Sequence, residues 1–328
     1  MTIAVLGAGA WGTALAIAWA ADRPVRLWSR EQDHVAAMLA AGENAAFLPG
    51  YRLPDALIPT GDFTAAVSGA DIAVIATPVA GLRETAAALC ERRFAGRLVW
   101  VCKGFETGSG LLPHAVVAEA FPGAAGGALS GPSFAQEVAD GRPTAVTLAA
   151  PDLADAEALA RELHTGSFRV YAHDDLPGTE IGGAIKNVLA IATGICDGLG
   201  LGYNARAALI TRGLAEIARL GAALGGRRET FMGLAGVGDL ILTCTGDLSR
   251  NRRVGLELAQ GKTLDEILVS LGHVAEGVNT AREVARLATA RQIDMPIARA
   301  VAAVLDGKLA AKAAVGELLA RAPTVEFR

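Results

Sequence analysis

A short apolar strand that runs straight into glycine-spaced residues constrains this chain more than any other segment. Ile3-Ala-Val-Leu6 is followed at once by Gly7-Ala-Gly9-Ala10-Trp11-Gly12, and a helical pattern extends over Trp11–Ala21. The spacing is G-x-G-x-x-G. The first glycine permits a tight turn, the second lets backbone approach a pyrophosphate, and the third lets helix pack on strand. The helix that follows points the positive end of its dipole at the same place. The motif alone is weak, because glycines can serve a turn and nothing else. Strand before and helix after give it weight.

The pattern continues downstream. Strand-like runs at Val25–Trp28, Ile72–Ala76, Leu98–Cys102, Ala128–Ser130, Ala145–Ala149 and Phe168–Tyr171 alternate with helical periods at Gln32–Ala41, Leu111–Ala120 and Asp152–Leu163. Such alternation implies a mostly parallel sheet covered on both faces. The stretch Asn44–Pro59, with prolines at 49, 54 and 59, reads as an irregular loop over one edge. Near Leu176-Pro-Gly178 strand signals stop, and helical periods punctuated by glycines take over. The expected fold class is α/β. Residues 1–178 form a doubly wound, Rossmann-like dinucleotide-binding domain, and residues 179–328 an all-helical domain for substrate and catalysis.

Global charge narrows the partners. A net charge of −4 over 328 residues offers no field for nucleic acid or anionic membrane, so any anion site must be local. The cysteines 90, 102, 196 and 244 lie in apolar runs without CxxC spacing, which predicts reduced core thiols and no metal site. No apolar run reaches the ~18–20 residues of a membrane span, and a strand begins almost at the first residue. A cytoplasmic protein without membrane insertion is expected.

Residues 180–204 carry the most unusual charge. Lys186 has Gly182, Gly183, Leu189 and Ala190 at helical spacing and no carboxylate at i±3 or i±4. A lysine in apolar company has a depressed pKa and can exchange a proton near neutrality. At the end of the second strand stand Ser29 and Arg30, where an NAD-specific site places an acid. A hydroxyl and a guanidinium suit a 2′-phosphate, so NADP is favoured with NAD possible, unless Arg30 is merely a solvated loop residue. Lys103 follows another strand directly. Gly131 and Ser133 follow a third, and Ser133 can either cap the next helix or meet a substrate. Asp239 begins an apolar helix and can be its N-cap. Ser249-Arg250-Asn251-Arg252-Arg253 is a cationic knot at a helix start, either a phosphate receptor or in part a solvated face.

With these residues placed, the chain resembles the bacterial-type NAD(P)-dependent glycerol-3-phosphate dehydrogenases over nearly its whole length. The carriers include GAGAWGTALA from Gly7, CKG at 102–104, SGPSFAQEVADGRPTA from Ser130, GTEIGGAIKNVLAIATGICDGLGLGYN from Gly178, GVGDLILTCTGDLSRNRRVG from Gly236 and AEGVNTA from Ala275. The resemblance implies reversible reduction of dihydroxyacetone phosphate to sn-glycerol 3-phosphate for phospholipid synthesis, with Lys186 as proton donor and acceptor. It implies substrate contacts at Lys103, Gly131, Ser133, Asp239, Ser249, Arg250 and Asn251. Its implied cofactor contacts are Ala10, Trp11, Arg30, Lys103, Ala135, Arg250, Val274 and Glu276, with His34 near an adenosine-side contact. Lys103 and Asp239 are expected to hold Lys186 and to pull its pKa in opposite directions. A homodimer is expected, as in relatives. A hydroxy-acid dehydrogenase of the same layout and a nucleotide sensor without turnover are the competing readings.

Overall fold

A computed structural model describes residues 1–271, 275–322 and 325. Its first part contains β1 (Ile3–Leu6), α1 (Ala10–Trp19), β2 (Val25–Trp28), α2 (Gln32–Ala41), β3 (Glu43–Asn44), β4 (Leu48–Arg52), β5 (Leu57–Thr60), α3 (Phe63–Val67), β6 (Ile72–Ile75) and α4 (Val79–Glu91). Then follow β7 (Arg97–Trp100), α5 (Pro113–Ala120), β8 (Gly126–Ser130), α6 (Ala135–Ala139), β9 (Thr144–Ala149), α7 (Leu153–Leu163) and β10 (Phe168–His173). The rest is helical: α8 (Leu176–Gly198), α9 (Gly202–Ala223), α10 (Asp239–Thr245), α11 (Arg250–Ala259), α12 (Leu264–Leu271), α13 (Glu276–Ala290), α14 (Pro296–Leu305) and α15 (Ala311–Leu319).

Eight strands form one sheet in the order β10-β9-β8-β7-β6-β1-β2-β5. Every pairing in it is parallel except β8 with β9. The doubly wound, mostly parallel expectation therefore holds. β1 and β6 are wholly buried because helices cover both faces, one core lying on the α1 and α7 side and another on the α4 and α5 side. Chain order reverses between β1 and β6, and the glycine-rich residues follow β1 at that switch point.

Residues 44–59 differ from the expected loop. They contain an antiparallel β3–β4 pair and β5, which extends the main sheet by pairing parallel with β2. Prolines hid these strands from a sequence reading. An edge strand tolerates Pro59 because one of its sides makes no ladder bonds, while the buried Leu48, Leu53 and Leu57 anchor the segment.

In the helical part, α8 is the axis. Asp175 caps it by accepting from Gly178 N at 3.0 Å, and burial is continuous from Gly178 to Cys196. Helices α9, α10, α11 and α13 surround it, which is why its sequence is apolar on every side. The closest approach is to α11, where a Cβ on Gly255 would lie 2.8 Å from Gly194 Cα and 2.7 Å from Ile195 N. Among the described residues no helix is long and apolar enough to cross a membrane. Since backbone cannot yield as a flexible side chain can, Gly255→Ala is expected to cost about 1–3 kcal/mol. A denaturant titration checks this; an unchanged midpoint would show that the two helices separate freely.

Candidate active site

The carboxyl edge of the sheet and the starts of several helices meet around a cavity of about 160 Å³. Trp11 from the first turn of α1, Val101 and Lys103 beyond β7, and Ser133 beyond β8 line the sheet side. Lys186 and Asn187 of α8, Arg250 and Asn251 of α11, and Ala275 and Glu276 at the start of α13 line the helical side.

Behind the wall, Asp239 joins the two sides. It has no exposed surface, and its two carboxylate oxygens take different lysines. Lys186 Nζ donates to Oδ1 and, at 3.0 Å, to Thr243 Oγ1. Thr243 can accept because its own hydroxyl donates to the Asp239 carbonyl at 2.7 Å. Lys103 Nζ donates to Oδ2 at 2.7 Å and to the Gly131 carbonyl at 3.1 Å. Asp239 therefore binds side chains and does not cap α10, whose N-cap is Gly238 without a side-chain bond.

Burial is the largest influence on the Lys186 amine, because a charge loses its hydration there. The Asp239 carboxylate pushes the pKa back up and the Lys103 ammonium adds to the fall, leaving a value of about 8. Desolvation thus outweighs either neighbour. Glu276 is raised by the same burial, moderated chiefly by Arg250 and Lys103. Three cations, Lys103, Lys186 and Arg250, share the region with two carboxylates, Asp239 and Glu276. The balance favours a small anion.

The glycine-rich residues offer a cradle beside this cavity. Gly7 has φ +124°, and a Cβ there would sit 2.8 Å from the Ala76 carbonyl carbon. Gly12 would meet the Gly7 carbonyl in the same way. Gly9 differs: no protein atom lies within 4 Å of where its Cβ would be. It precedes Ala10 as the N-cap of α1 and supplies no side-chain bond, so the first-turn N–H groups of the helix remain open. These residues fit the pyrophosphate of a dinucleotide.

The remaining expected residues separate into different surroundings. Ser133 does not cap α6; its hydroxyl donates at 3.0 Å to the Gly131 carbonyl that also receives Lys103. Asn251 lines the cavity and is held from both ends, donating to Asn187 Oδ1 at 3.0 Å and accepting from Gly277 N at 3.1 Å. Of the three arginines in the knot, only Arg250 lines the cavity. Arg252 pairs with Asp197 and Asp247, and Arg253 with Glu257. Ser249 caps α11 by accepting from Arg252 N and lies outside the cavity wall. Ala135 opens α6 and packs into the sheet core, also off the wall. Arg30 lies beyond β2 with its side chain 74% exposed, 3.3 Å from Glu31. His34 bridges Ser29 at 3.1 Å and Asn44 at 2.8 Å. Val274 lies outside the described residues.

Sequence reasoning missed Val101, Asn187 and Ala275 in the cavity wall and Thr243 behind it. A polar residue beside the lysine in an apolar helix could have signalled Asn187. Thr243 stands one helical turn after Asp239, a spacing that places both on one face.

Comparisons with known proteins place the chain in a family. Residues 2–156 match the N-terminal model of NAD-dependent glycerol-3-phosphate dehydrogenase, and residues 175–316 match its C-terminal model. A relative from Dechloromonas aromatica (strain RCB), named glycerol-3-phosphate dehydrogenase [NAD(P)+], is 63% identical over 100% of both chains. A relative of the same name from Thiobacillus denitrificans is 59% identical, again over 100% of both. The crystal structure of glycerol-3-phosphate dehydrogenase from Coxiella burnetii superposes with a TM-score of 0.93 at 45% identity, covering 98% of this chain and 99% of that one. The chain belongs to the NAD-dependent glycerol-3-phosphate dehydrogenase family of oxidoreductases.

Proposed function

We propose that this enzyme reversibly reduces dihydroxyacetone phosphate to sn-glycerol 3-phosphate, with Lys186 as the general acid and base and NADP preferred over NAD. The observation that carries the reading is a buried lysine, held on Asp239 beside Lys103, in the wall of a net cationic cavity next to a pyrophosphate cradle. Residues 1–178 would hold the cofactor and residues 179–328 most of the substrate. A cytoplasmic homodimer supplying phospholipid synthesis fits the same reading.

Gly7, Gly9, Ala10 and Gly12, with α1 behind them, would hold the pyrophosphate. Trp11, Lys103 and Glu276 lie toward the cavity, and the exposed Arg30 would exchange its surface contact with Glu31 for a 2′-phosphate. The nicotinamide, when bound, supplies or takes up the hydride at C2. Arg250 clamps the substrate phosphate at the start of α11, where helix N–H groups also favour an anion. Asn251, already oriented by Asn187 and Gly277, keeps one amide hydrogen for it. Ser133 and Lys103 bracket the carbonyl end, and fixing it there supplies much of the rate.

Lys186, as ammonium, donates its proton to the oxygen that becomes the C2 hydroxyl. In the reverse direction its neutral amine takes that proton back. Asp239 and Thr243 aim the amine, and Lys103 keeps it less basic. A carboxylate substrate could use the same lysine. Arg250, Asn251 and the open N–H groups at the start of α11 together offer donors for three outward oxygens, which suits a phosphate, and the two competing substrates in one assay separate these readings.

Four outcomes are expected. NADPH oxidation with dihydroxyacetone phosphate should fall ~10²–10⁴-fold in kcat for Lys186→Ala, the range for losing an acid–base group. In the wild type, glycerol 3-phosphate oxidation needs the neutral amine and should rise with pH through about 8, while reduction needs the ammonium and should fall above it. Near-normal turnover of the variant would remove Lys186 from the chemistry. Arg250→Ala should raise the substrate KM at least ~10-fold, as expected for a charge-assisted phosphate contact; an unchanged KM would place the phosphate elsewhere. For Arg30→Ala, the NADPH-to-NADH ratio of kcat/KM should drop, and an unaltered ratio would refute the cofactor assignment.

A further inference from the structure

Glu180 precedes Lys186 by six residues in α8 and is not part of the cavity wall, yet its carboxylate is buried. It collects donors from the sheet domain. Trp100 Nε1 donates to Oε1 at 2.6 Å, and His114 N donates to the same oxygen at 2.9 Å. His114 Nδ1 meets Oε2 at 2.6 Å. Trp100 is the last residue of β7, three before Lys103, and His114 is the second residue of α5. The same carboxylate thus grips the strand that delivers one active-site lysine and sits on the helix that delivers the other.

A leucine would fill this space without desolvating a charge, so packing alone does not account for the carboxylate. What a carboxylate adds is direction: donors from two elements fix one rotation and one height of α8. The helix is also shaped for close approach here. A Cβ on Gly183 would lie 2.6 Å from Ser130 Oγ and 3.4 Å from Lys103 Cγ. Glu180 and Gly183 fall at i and i+3, on one helix face turned to the sheet domain.

We propose that Glu180 is a positioning residue whose bonds to Trp100 and His114 set the register of α8 against β7, and through it the placement of Lys186 and Lys103 on Asp239. The inference rests on the assignment of Lys186 as the proton-transfer group. Lys186 is faced by Asp239 from α10 and Lys103 beyond β7, with Glu276 of α13 and Arg250 of α11 across the cavity. If α8 shifts, water reaches the amine and Lys103 moves off, and the pKa of Lys186 rises toward that of an ordinary lysine.

The full-length enzyme tests this with Trp100→Phe, His114→Ala and Glu180→Gln, beside the wild type and Lys186→Ala. kcat, KM and the kinetic pKa of glycerol 3-phosphate oxidation are measured per folded molecule, together with Tm. Trp100→Phe and His114→Ala should each lower kcat ~5–10-fold with KM within ~2-fold, because small misplacements of reacting groups are costly. Their kinetic pKa should rise by about half a unit or more as the amine is rehydrated. Glu180→Gln keeps an acceptor for Trp100 and the His114 N–H and can donate to the other tautomer of His114, so it should retain kcat within ~2-fold. A lowered Tm with unchanged kcat and kinetic pKa would overturn the proposal, and so would Glu180→Gln failing with the other two. An inactive wild type, or an active Lys186→Ala, would instead overturn the assignment on which it rests.

Discussion

Asp239 accepts hydrogen bonds from two lysines that arrive on different parts of the fold, and the rest of the arrangement is shaped around that contact. A buried carboxylate with one cation would make an ordinary ion pair. With two, one ammonium is always close to another, and the group with less access to water gives up its proton more readily. Lys186 is that group. Its fall from 10.5 to about 8 corresponds to roughly 3 kcal/mol, which the packing of α8 must supply. The sign is clear. Below pH 8 both folded and unfolded chains carry this proton and the folded state bears the cost; between 8 and 10.5 only the unfolded chain holds it, so stability rises with pH.

The apolar helix that bears Lys186 makes this possible. Its glycines let neighbouring backbones come close, Gly194 toward α11 and Gly183 toward Ser130 and Lys103. Close packing excludes water more completely than large side chains on a loosely fitted helix would. Beside the cavity Gly9 does the reverse, leaving space over a helix start. The same residue type closes one surface and opens another.

Much of this was legible in the chain. The strand with G-x-G-x-x-G and the alternation that follows defined the parallel sheet, and the change at 176–178 marked where strands stop. Lys186 stood out because it had no local partner. Its partner lies 53 positions away in Asp239, and no periodicity reports such a distance. Asp239 and Ser133 each had two readings, a cap or a site group, because both begin helices; only tertiary contacts separate them. Ser249, expected only as a substrate contact, also caps α11. Residues 44–59 misled for a different reason, since prolines suppress the strand pattern even where an edge tolerates them. The arginine knot gave the correct charge but not the division of labour, which depends on where Asp197, Asp247 and Glu257 lie.

The proposed chemistry turns on Lys186 being an amine of nearly neutral basicity in the folded enzyme, held so by burial against Asp239 and Lys103. Lysine-selective NMR, following the Cε and Nζ resonances of Lys186 across pH and assigned by their loss in Lys186→Arg, measures this directly. A midpoint near 8 is expected. A midpoint at the ordinary lysine value of 10.5 would contradict it.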